Sequence, residues 1–292
     1  MYKERVIVSL TTYCKRIANI TVVLDTIFAQ TMPPDIVVLN LAIDEVIPDD
    51  VKDYIETHSI EVNRVYDTKV YKKLIPTLKK YPDDCVITID DDFLYPNGMI
   101  EDFLHIHSLY PDNPISGNNV VQYGLQCHCG CASLMKFGYL GKYVDAIDEE
   151  VMKHCPSDDL VYTYFSNKNN HPYLRTSGMY SDNMQSYNEG GSYSVTIGGR
   201  KGITDTYDYL IKRFGVLDKN VIMSYMPNVD AYIVSVIDHV YKKGLGSEMF
   251  LKGYYQGVSE MKASSPFRVG RMILSPFTYL KHKFDDCFRG NE

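Results

Sequence analysis

Short apolar runs alternate along the first half of the chain with segments in which apolar residues recur at helical spacing. Strands are predicted at 5–10, 35–41, 60–65 and 86–89, and helices at 20–30, 49–57, 72–81 and 100–107. The run at 86–89 is continuously apolar, which is typical of a strand buried on both faces, whereas 60–65 alternates and is expected to be half exposed. Strands and helices that alternate with short connections predict an α/β fold with a mostly parallel central sheet flanked by helices.

The pattern is less regular in the second half of the chain. The segment at 114–141 is rich in Gly, Asn and Cys and is expected to supply further strands and loops. Ser157 is a predicted N-cap, with two aspartates in the first turn of the helix that follows it. The Gly- and Ser-rich segment at 188–201 is interpreted as a mobile loop that covers a substrate as a lid.

Composition and charge narrow the class of protein. The chain has 292 residues, of which 45% are hydrophobic and 23% charged, as expected of a globular protein with a sizeable core. The formal net charge of -7 argues against general nucleic-acid binding. Seven cysteines and an N-terminal start without an apolar signal segment predict a reduced, cytoplasmic setting.

Three of the cysteines lie close together in Cys127-His128-Cys129-Gly130-Cys131. This segment suggests zinc, but structural zinc sites usually join two separated ligand pairs, and the sequence contains no second pair of that kind. We therefore interpret these residues as buried thiols.

Three carboxylates, Asp90, Asp91 and Asp92, follow the apolar run at 86–89 directly. Adjacent acids repel, so their place at the carboxyl end of a predicted strand indicates a hard divalent ion, Mn²⁺ or Mg²⁺, that carries the phosphates of a substrate. Strand alternation predicts Asp90 and Asp92 on one side and Asp91 on the other. The alternative is a solvated acidic turn before Pro96.

Two further segments contain candidate functional residues. The loop after the first strand, at 11–16, carries hydroxyls, an aromatic ring and two cations where α/β proteins hold nucleotides. The lysines at 72–80 are typical of a solvated face, and Lys73 is the exception we favour, because a cation there would neutralise a diphosphate. Asp158 and Asp159 either stabilise the start of a helix through its dipole or supply a carboxylate that removes a proton from an acceptor hydroxyl.

Taken together, these segments resemble bacterial GT-A-fold glycosyltransferases, close to the family 2 type of capsule and O-antigen polysaccharide biosynthesis. The matching segments are SLTTYCKR at 9–16, KKLIPTL at 72–78, ITIDDD at 87–92 and SDDL at 157–160. They occur in the family's order and span about residues 4 to 170. The chain departs from the family at Thr11 and Cys14, where a Pro and a Tyr-Asn pair are usual, and at Asn40, where an acidic pair is usual.

The resemblance implies roles for individual residues. Asp90 and Asp92 would hold Mn²⁺ or Mg²⁺, and Asp159, with Asp158 beside it, would be the catalytic base. The residues that would contact the nucleotide-sugar donor are Thr11, Tyr13, Arg16, Asn40, Lys73, Asp90 and Asp91. If Asp159 only stabilises the start of a helix, the alternative is a mechanism that retains the anomeric configuration.

The resemblance also implies an activity and a domain organisation. A sugar would pass from a nucleotide-diphosphate sugar, UDP-sugar first among them, to a hydroxyl of a glycan or lipid-linked acceptor, with inversion. The glycosyltransferase domain is expected at 1–200 and a mainly helical extension at 201–292. The basic and apolar tail at 266–288 either contacts the inner face of the cytoplasmic membrane or docks as an ordinary helix.

Two rival interpretations remain open at this point. A carboxylate-held ion also serves nucleotidyltransferases and phosphohydrolases, although the former would be expected to carry a Gly-rich loop after the first strand. The other alternative is a catalytically silent sugar-binding protein that keeps the fold.

Overall fold

A computed structural model describes residues 4–117, 121–122, 125–128, 131–175, 185–186 and 199–217. The predicted tail at 266–288 and most of the predicted lid lie outside these residues. The last residues assigned to the lid, from Gly199 onward, begin a helix instead of a loop.

The strands and helices follow one another in the predicted order. The strands are β1 Val6–Thr11, β2 Ile36–Ala42, β3 Glu61–Val65, β4 Cys85–Ile89, β5 Phe93–Leu94, β6 Ile115–Ser116, β7 Val121–Gln122, β8 Leu125–Gln126, β9 Ala132–Met135, β10 Leu174–Arg175 and β11 Gln185–Ser186. The α-helices are α1 Ile20–Phe28, α2 Asp49–Thr57, α3 Ile75–Lys80, α4 Met99–Leu109, α5 Phe137–Leu140, α6 Glu149–His154, α7 Asp158–Lys168 and α8 Gly199–Phe214.

Seven strands form the central sheet in the order β10-β6-β9-β4-β1-β2-β3. The neighbours β1–β2, β1–β4, β2–β3 and β6–β10 are parallel, whereas β9 runs antiparallel to both β4 and β6. The predicted class, an α/β fold with a Rossmann-like, mostly parallel sheet flanked by helices, is therefore confirmed.

Burial follows the hydrophobic pattern that predicted the strands. Every residue of β4 is buried, because β4 lies between β1 and β9, while β3 at the edge of the sheet is partly exposed as predicted. Helix α1 turns Ile20, Val23, Leu24 and Ile27 into the core. The apolar spacing of these residues thus encodes which face of the helix packs against the sheet.

Two local predictions need correction. The sequence predicts a single helix interrupted by Pro76 at 72–81. The structure instead has a 3-10 helix, Lys69–Lys73, followed by α3, and Pro76 lies in the first turn of α3, a position where proline is compatible with a helix. The sequence also predicts Asn97 as the N-cap of the helix after the acidic triplet, but the N-cap in the structure is Gly98.

The beginning of the predicted C-terminal extension packs on the preceding part of the chain. Arg213 in α8 forms an ion pair of 2.6 Å with Asp148 at the start of α6, and Leu210 is fully buried. The Tyr164 hydroxyl in α7 donates to the carbonyl of Gly215. Among the described residues, no helix combines the length and apolar character needed to cross a membrane.

Candidate active site

The predicted site residues lie where β1, β2 and β4 end. These three strands are parallel neighbours, so their carboxyl ends meet at one edge of the sheet. Strand β4 ends at Ile89, and Asp90 to Asp92 follow in a turn. The predicted alternation of the three carboxylates is wrong, because the strand stops before them and the turn brings Asp91 and Asp92 to the same cation.

That cation is Arg16, from the loop after β1. Its Nη1 lies 2.7 Å from Asp91 Oδ1 and 3.0 Å from Asp92 Oδ2. The Thr12 hydroxyl donates to the other oxygen of Asp91 at 2.7 Å. Sequence reasoning singled out the neighbours Thr11 and Tyr13 and missed Thr12, whose role depends on how the loop turns.

The second cation of the site is Lys73, whose side chain is only 5% exposed. Its Nζ lies 2.9 Å from Asp90 Oδ1 and 3.7 Å from Asp158 Oδ2. Burial alone would lower the pKa of Lys73, but the charges of Asp158, Asp90 and Asp159 raise it well above its usual value. Lys73 is therefore a permanent positive charge between the two acidic segments.

The acidic triplet carries more negative charge than its protein partners offset. Burial, and then the charge of Asp90, raise the pKa of Asp92 to about 6. Burial also raises the pKa of Asp91, against the lowering effect of Thr12 and Arg16. Three carboxylates face two cations, so one more positive charge would be favourable here.

A divalent metal ion fits this part of the site. Within the described ranges, the triplet does not itself bring three ligand atoms together. Magnesium-type sites need only one or two carboxylates, because water and substrate phosphates complete the coordination. The hard oxygen ligands and the raised pKa of Asp92 agree with such a use of Asp90 and Asp92.

The second acidic segment begins α7, as predicted. Ser157 is the N-cap residue, but its hydroxyl makes no capping hydrogen bond within the described structure. Asp158 is 3% exposed, and burial raises its pKa while Lys73 lowers it. Asp159 is less buried than Asp158, although its Oδ1 is buried.

Three of the residues predicted to contact the nucleotide-sugar donor lie in different environments. Tyr13 is 39% exposed, with the Arg16 guanidinium 5.6 Å from its ring centre. The Thr11 hydroxyl donates to the carbonyl of Asn40 at 2.7 Å. The structure does not bring the Asn40 side chain to the surface with the others, because this residue is fully buried.

Both the amide nitrogen and the oxygen of the Asn40 side chain form hydrogen bonds inside the protein. Its Nδ2 donates to Ser9 Oγ at 3.0 Å and to Thr77 Oγ1 at 2.9 Å, and its Oδ1 accepts from Asn63 at 2.8 Å. Ser9 Oγ in turn donates to the carbonyl of Lys73. Asn40 thus supports the backbone that carries Lys73.

A histidine that sequence reasoning did not select also lies at the site. His128 is 1% exposed, and it groups with Asp158 and Asp159. The buried-thiol interpretation is confirmed for Cys127 and Cys131, while Cys129 lies outside the described residues. Sequence reasoning considered His128 only as part of the Cys127–Cys131 segment, because its proximity to α7 arises from the packing of distant segments.

No protein-family model and no curated protein sequence matches this chain. Solved structures resemble it distantly. Staphylococcus aureus TarS is 12% identical, with a TM-score of 0.46, over 74% of this chain and 44% of TarS. Its 1–349 fragment in complex with UDP is 12% identical, with a TM-score of 0.41, over 73% of this chain and 72% of the fragment.

Two other solved structures resemble a smaller part of the chain. Glucosyl-3-phosphoglycerate synthase from Mycobacterium tuberculosis, solved with Mn²⁺, UDP and phosphoglyceric acid, is 18% identical over 39% of this chain and 42% of that protein, with a TM-score of 0.30. A 4-diphosphocytidyl-2C-methyl-D-erythritol synthase is 12% identical over 52% of this chain and 84% of that protein, with a TM-score of 0.36. These likenesses are too distant to assign the chain to a family.

Proposed function

We propose that this protein transfers a sugar from a nucleotide-diphosphate sugar, UDP-sugar first among them, to a hydroxyl of a glycan or lipid-linked acceptor. The proposal includes a role in capsule or O-antigen type polysaccharide synthesis, with the tail at 266–288 against the inner face of the cytoplasmic membrane. The observation that carries it is the position of Lys73. This one buried cation contacts Asp90 after β4 and Asp158 at the start of α7.

The charges of the site suit a diphosphate donor. Arg16 and Lys73 supply positive charge at the carboxyl edge of the sheet, where α/β proteins bind phosphorylated ligands. Asp90 and Asp92 would hold Mn²⁺ or Mg²⁺, and the bound ion offsets the charge of the diphosphate and of the departing nucleotide. The half-exposed ring of Tyr13 offers a planar apolar surface for the base of the nucleotide.

Asp159 is the proposed general base. In this reaction the acceptor oxygen forms a bond to the anomeric carbon, the bond to the nucleotide diphosphate breaks, and the acceptor proton passes to the Asp159 carboxylate. A single displacement of this kind inverts the anomeric configuration. Asp158 is buried against Lys73, and its role is to fix the first turn of α7 from which Asp159 projects.

The test compares two neighbouring buried lysines. Lys73→Gln removes the cation between the two acidic segments, whereas Lys72→Gln removes an equally buried cation that pairs with Asp67 instead. UDP is titrated into each protein by calorimetry with and without Mn²⁺, and hydrolysis of UDP-sugars is measured without acceptor. We expect Lys73→Gln to abolish Mn²⁺-dependent UDP binding and hydrolysis, and Lys72→Gln to retain both.

Other results of these two assays would point to a different function. If Lys73→Gln binds UDP and hydrolyses UDP-sugars as well as Lys72→Gln does, the role of Lys73 and the proposed donor site are overturned. UDP binding without turnover of any UDP-sugar would indicate a sugar-binding protein. Release of pyrophosphate from a nucleoside triphosphate, without hydrolysis of UDP-sugars, would indicate a nucleotidyltransferase.

A further inference from the structure

A second group of metal-ligating side chains includes Asp158, which shares Lys73 with Asp90 of the acidic triplet. His128, Asp158 and Asp159 each offer one ligand atom, and these three atoms lie within 4.8 Å of one another. Nitrogen and oxygen ligands bind a transition-metal ion at about 2.0–2.2 Å. The three side chains are therefore close enough to share one ion after small adjustments.

The tautomer of His128 decides whether Nε2 can bind an ion. His128 Nδ1 lies 2.8 Å from the Tyr173 hydroxyl oxygen, which can accept the Nδ1 hydrogen while its own hydrogen points to Met135 Sδ, 2.8 Å away. In this tautomer Nε2 carries a lone pair. Nε2 is buried and has no hydrogen-bond partner among the described residues.

Such an arrangement is unfavourable without a positively charged neighbour. A lone pair that shares a buried site with two carboxylates is repelled by them, and burying it without a partner has a desolvation cost. The Tyr162 hydroxyl is also buried without a hydrogen-bond partner in the described part of the chain, and so is Asp158 Oδ2, whose ion pair with Lys73 is long, at 3.7 Å. An ion with a bound water would satisfy all three groups.

The balance of charge favours a divalent ion. In the described part of the chain, Arg16 and Lys73 are the two cations that face the carboxylates of Asp90, Asp91, Asp92, Asp158 and Asp159. When all five carboxylates are ionised, three negative charges are left over. A divalent ion at Asp158 and Asp159 offsets two of them without moving Lys73.

We propose that His128, Asp158 and Asp159 bind a divalent transition-metal ion, at a site distinct from Asp90 and Asp92. One imidazole and two carboxylates suit Mn²⁺, Co²⁺ or Zn²⁺ better than Mg²⁺, whereas an all-oxygen site suits Mg²⁺ or Mn²⁺. A carboxylate that holds an ion through one oxygen keeps the other, so Asp159 retains an oxygen for the acceptor proton.

The group formed by Glu4, Cys85 and His107 provides a control. It also brings three ligand atoms together, but its members already have partners. Glu4 pairs with Lys136 at 2.5 Å, Cys85 donates to Glu4 at 3.1 Å, and His107 Nδ1 lies 3.3 Å from the Tyr139 hydroxyl. We expect no ion at this second group.

The test is a titration of the chelator-treated full-length protein with Co²⁺, followed by its visible absorption. We expect one Co²⁺ per chain in Asp92→Asn, which lacks a ligand of the donor-site ion, with absorption bands that also persist in His107→Gln. His128→Gln should raise the dissociation constant of Co²⁺ by more than the roughly 10–100-fold that loss of an outer-shell partner causes. Because Asp92→Asn removes the donor site and leaves this one, failure of the proposed function and failure of this inference are distinguishable.

Several results would overturn the inference. They are the absence of Co²⁺ binding by the wild-type protein, unchanged binding by His128→Gln, and thiolate charge-transfer bands that disappear in His107→Gln. If His128→Gln does not fold, X-ray absorption of Zn²⁺ bound to Asp92→Asn decides the question. One imidazole nitrogen among oxygen ligands is the expected shell, and an all-oxygen or sulfur-containing shell would refute the site.

Discussion

Replacing Asp92 by Asn should stabilise the metal-free protein while it abolishes metal-dependent donor binding. Burial and the charge of Asp90 raise the pKa of Asp92 to about 6, so the ionised form is disfavoured in the folded state. An amide of the same shape removes that charge and can still accept a hydrogen bond from Arg16, which lies 3.0 Å from Asp92. The gain in stability and the loss of function therefore have the same cause.

The sign and the size follow from the pKa. Because the folded-state pKa lies above the ordinary value of 3.8, the contribution of Asp92 to stability is fully present below about pH 4 and is lost as the pH rises through about 6. Each pH unit corresponds to about 1.4 kcal/mol, which gives roughly 3 kcal/mol for the whole shift. Solvent screening reduces this figure, and we expect a gain of about 1–2 kcal/mol at neutral pH.

Thermal unfolding with a chelator present, followed by circular dichroism, measures the effect. The gain should appear as an increase in Tm of about 2–4 °C near pH 7.5 and should shrink towards pH 5. Asp145→Asn is the control, because the Asp145 side chain is 82% exposed in a surface ion pair with Lys79. An Asp92→Asn protein that is no more stable than the wild type, or whose gain does not depend on pH, would refute the reasoning.

Two further predictions concern the wild-type pH profile and Asn40. Since Asp92 must be ionised to hold an ion, the Mn²⁺-dependent affinity for UDP should rise as the pH increases through about 6, and a flat calorimetric profile would contradict this use of Asp92. Asn40→Ala should destabilise the protein by about 1–3 kcal/mol, because it removes hydrogen bonds to the buried Ser9 and Thr77 hydroxyls and to the partly buried Asn63 side chain. Urea unfolding measures that cost. UDP affinity should stay unchanged, and a fall in affinity with normal stability would show that Asn40 contacts the donor after all.

The order of the fold could be predicted because strand and helix periods are local properties of the chain. The apolar run of β4 is buried between two strands, and the apolar face of α1 packs into the core, as the spacing of their residues indicated. Errors arose where the pattern was extended past the end of an element. Strand alternation does not apply to Asp91 and Asp92, because β4 ends at Ile89.

The sequence by itself determined the α/β class, the acidic residues after β4 and the aspartates that begin α7, since each depends on a short segment of chain. Only the tertiary structure decided which of these groups meet. It placed Lys73 between Asp90 and Asp158, and it brought His128 to the first turn of α7. It also buried Asn40, which the family resemblance had assigned to the donor. The physical reason is that such contacts depend on strand order and on the packing of segments far apart in the chain, and local periodicity carries no information about either.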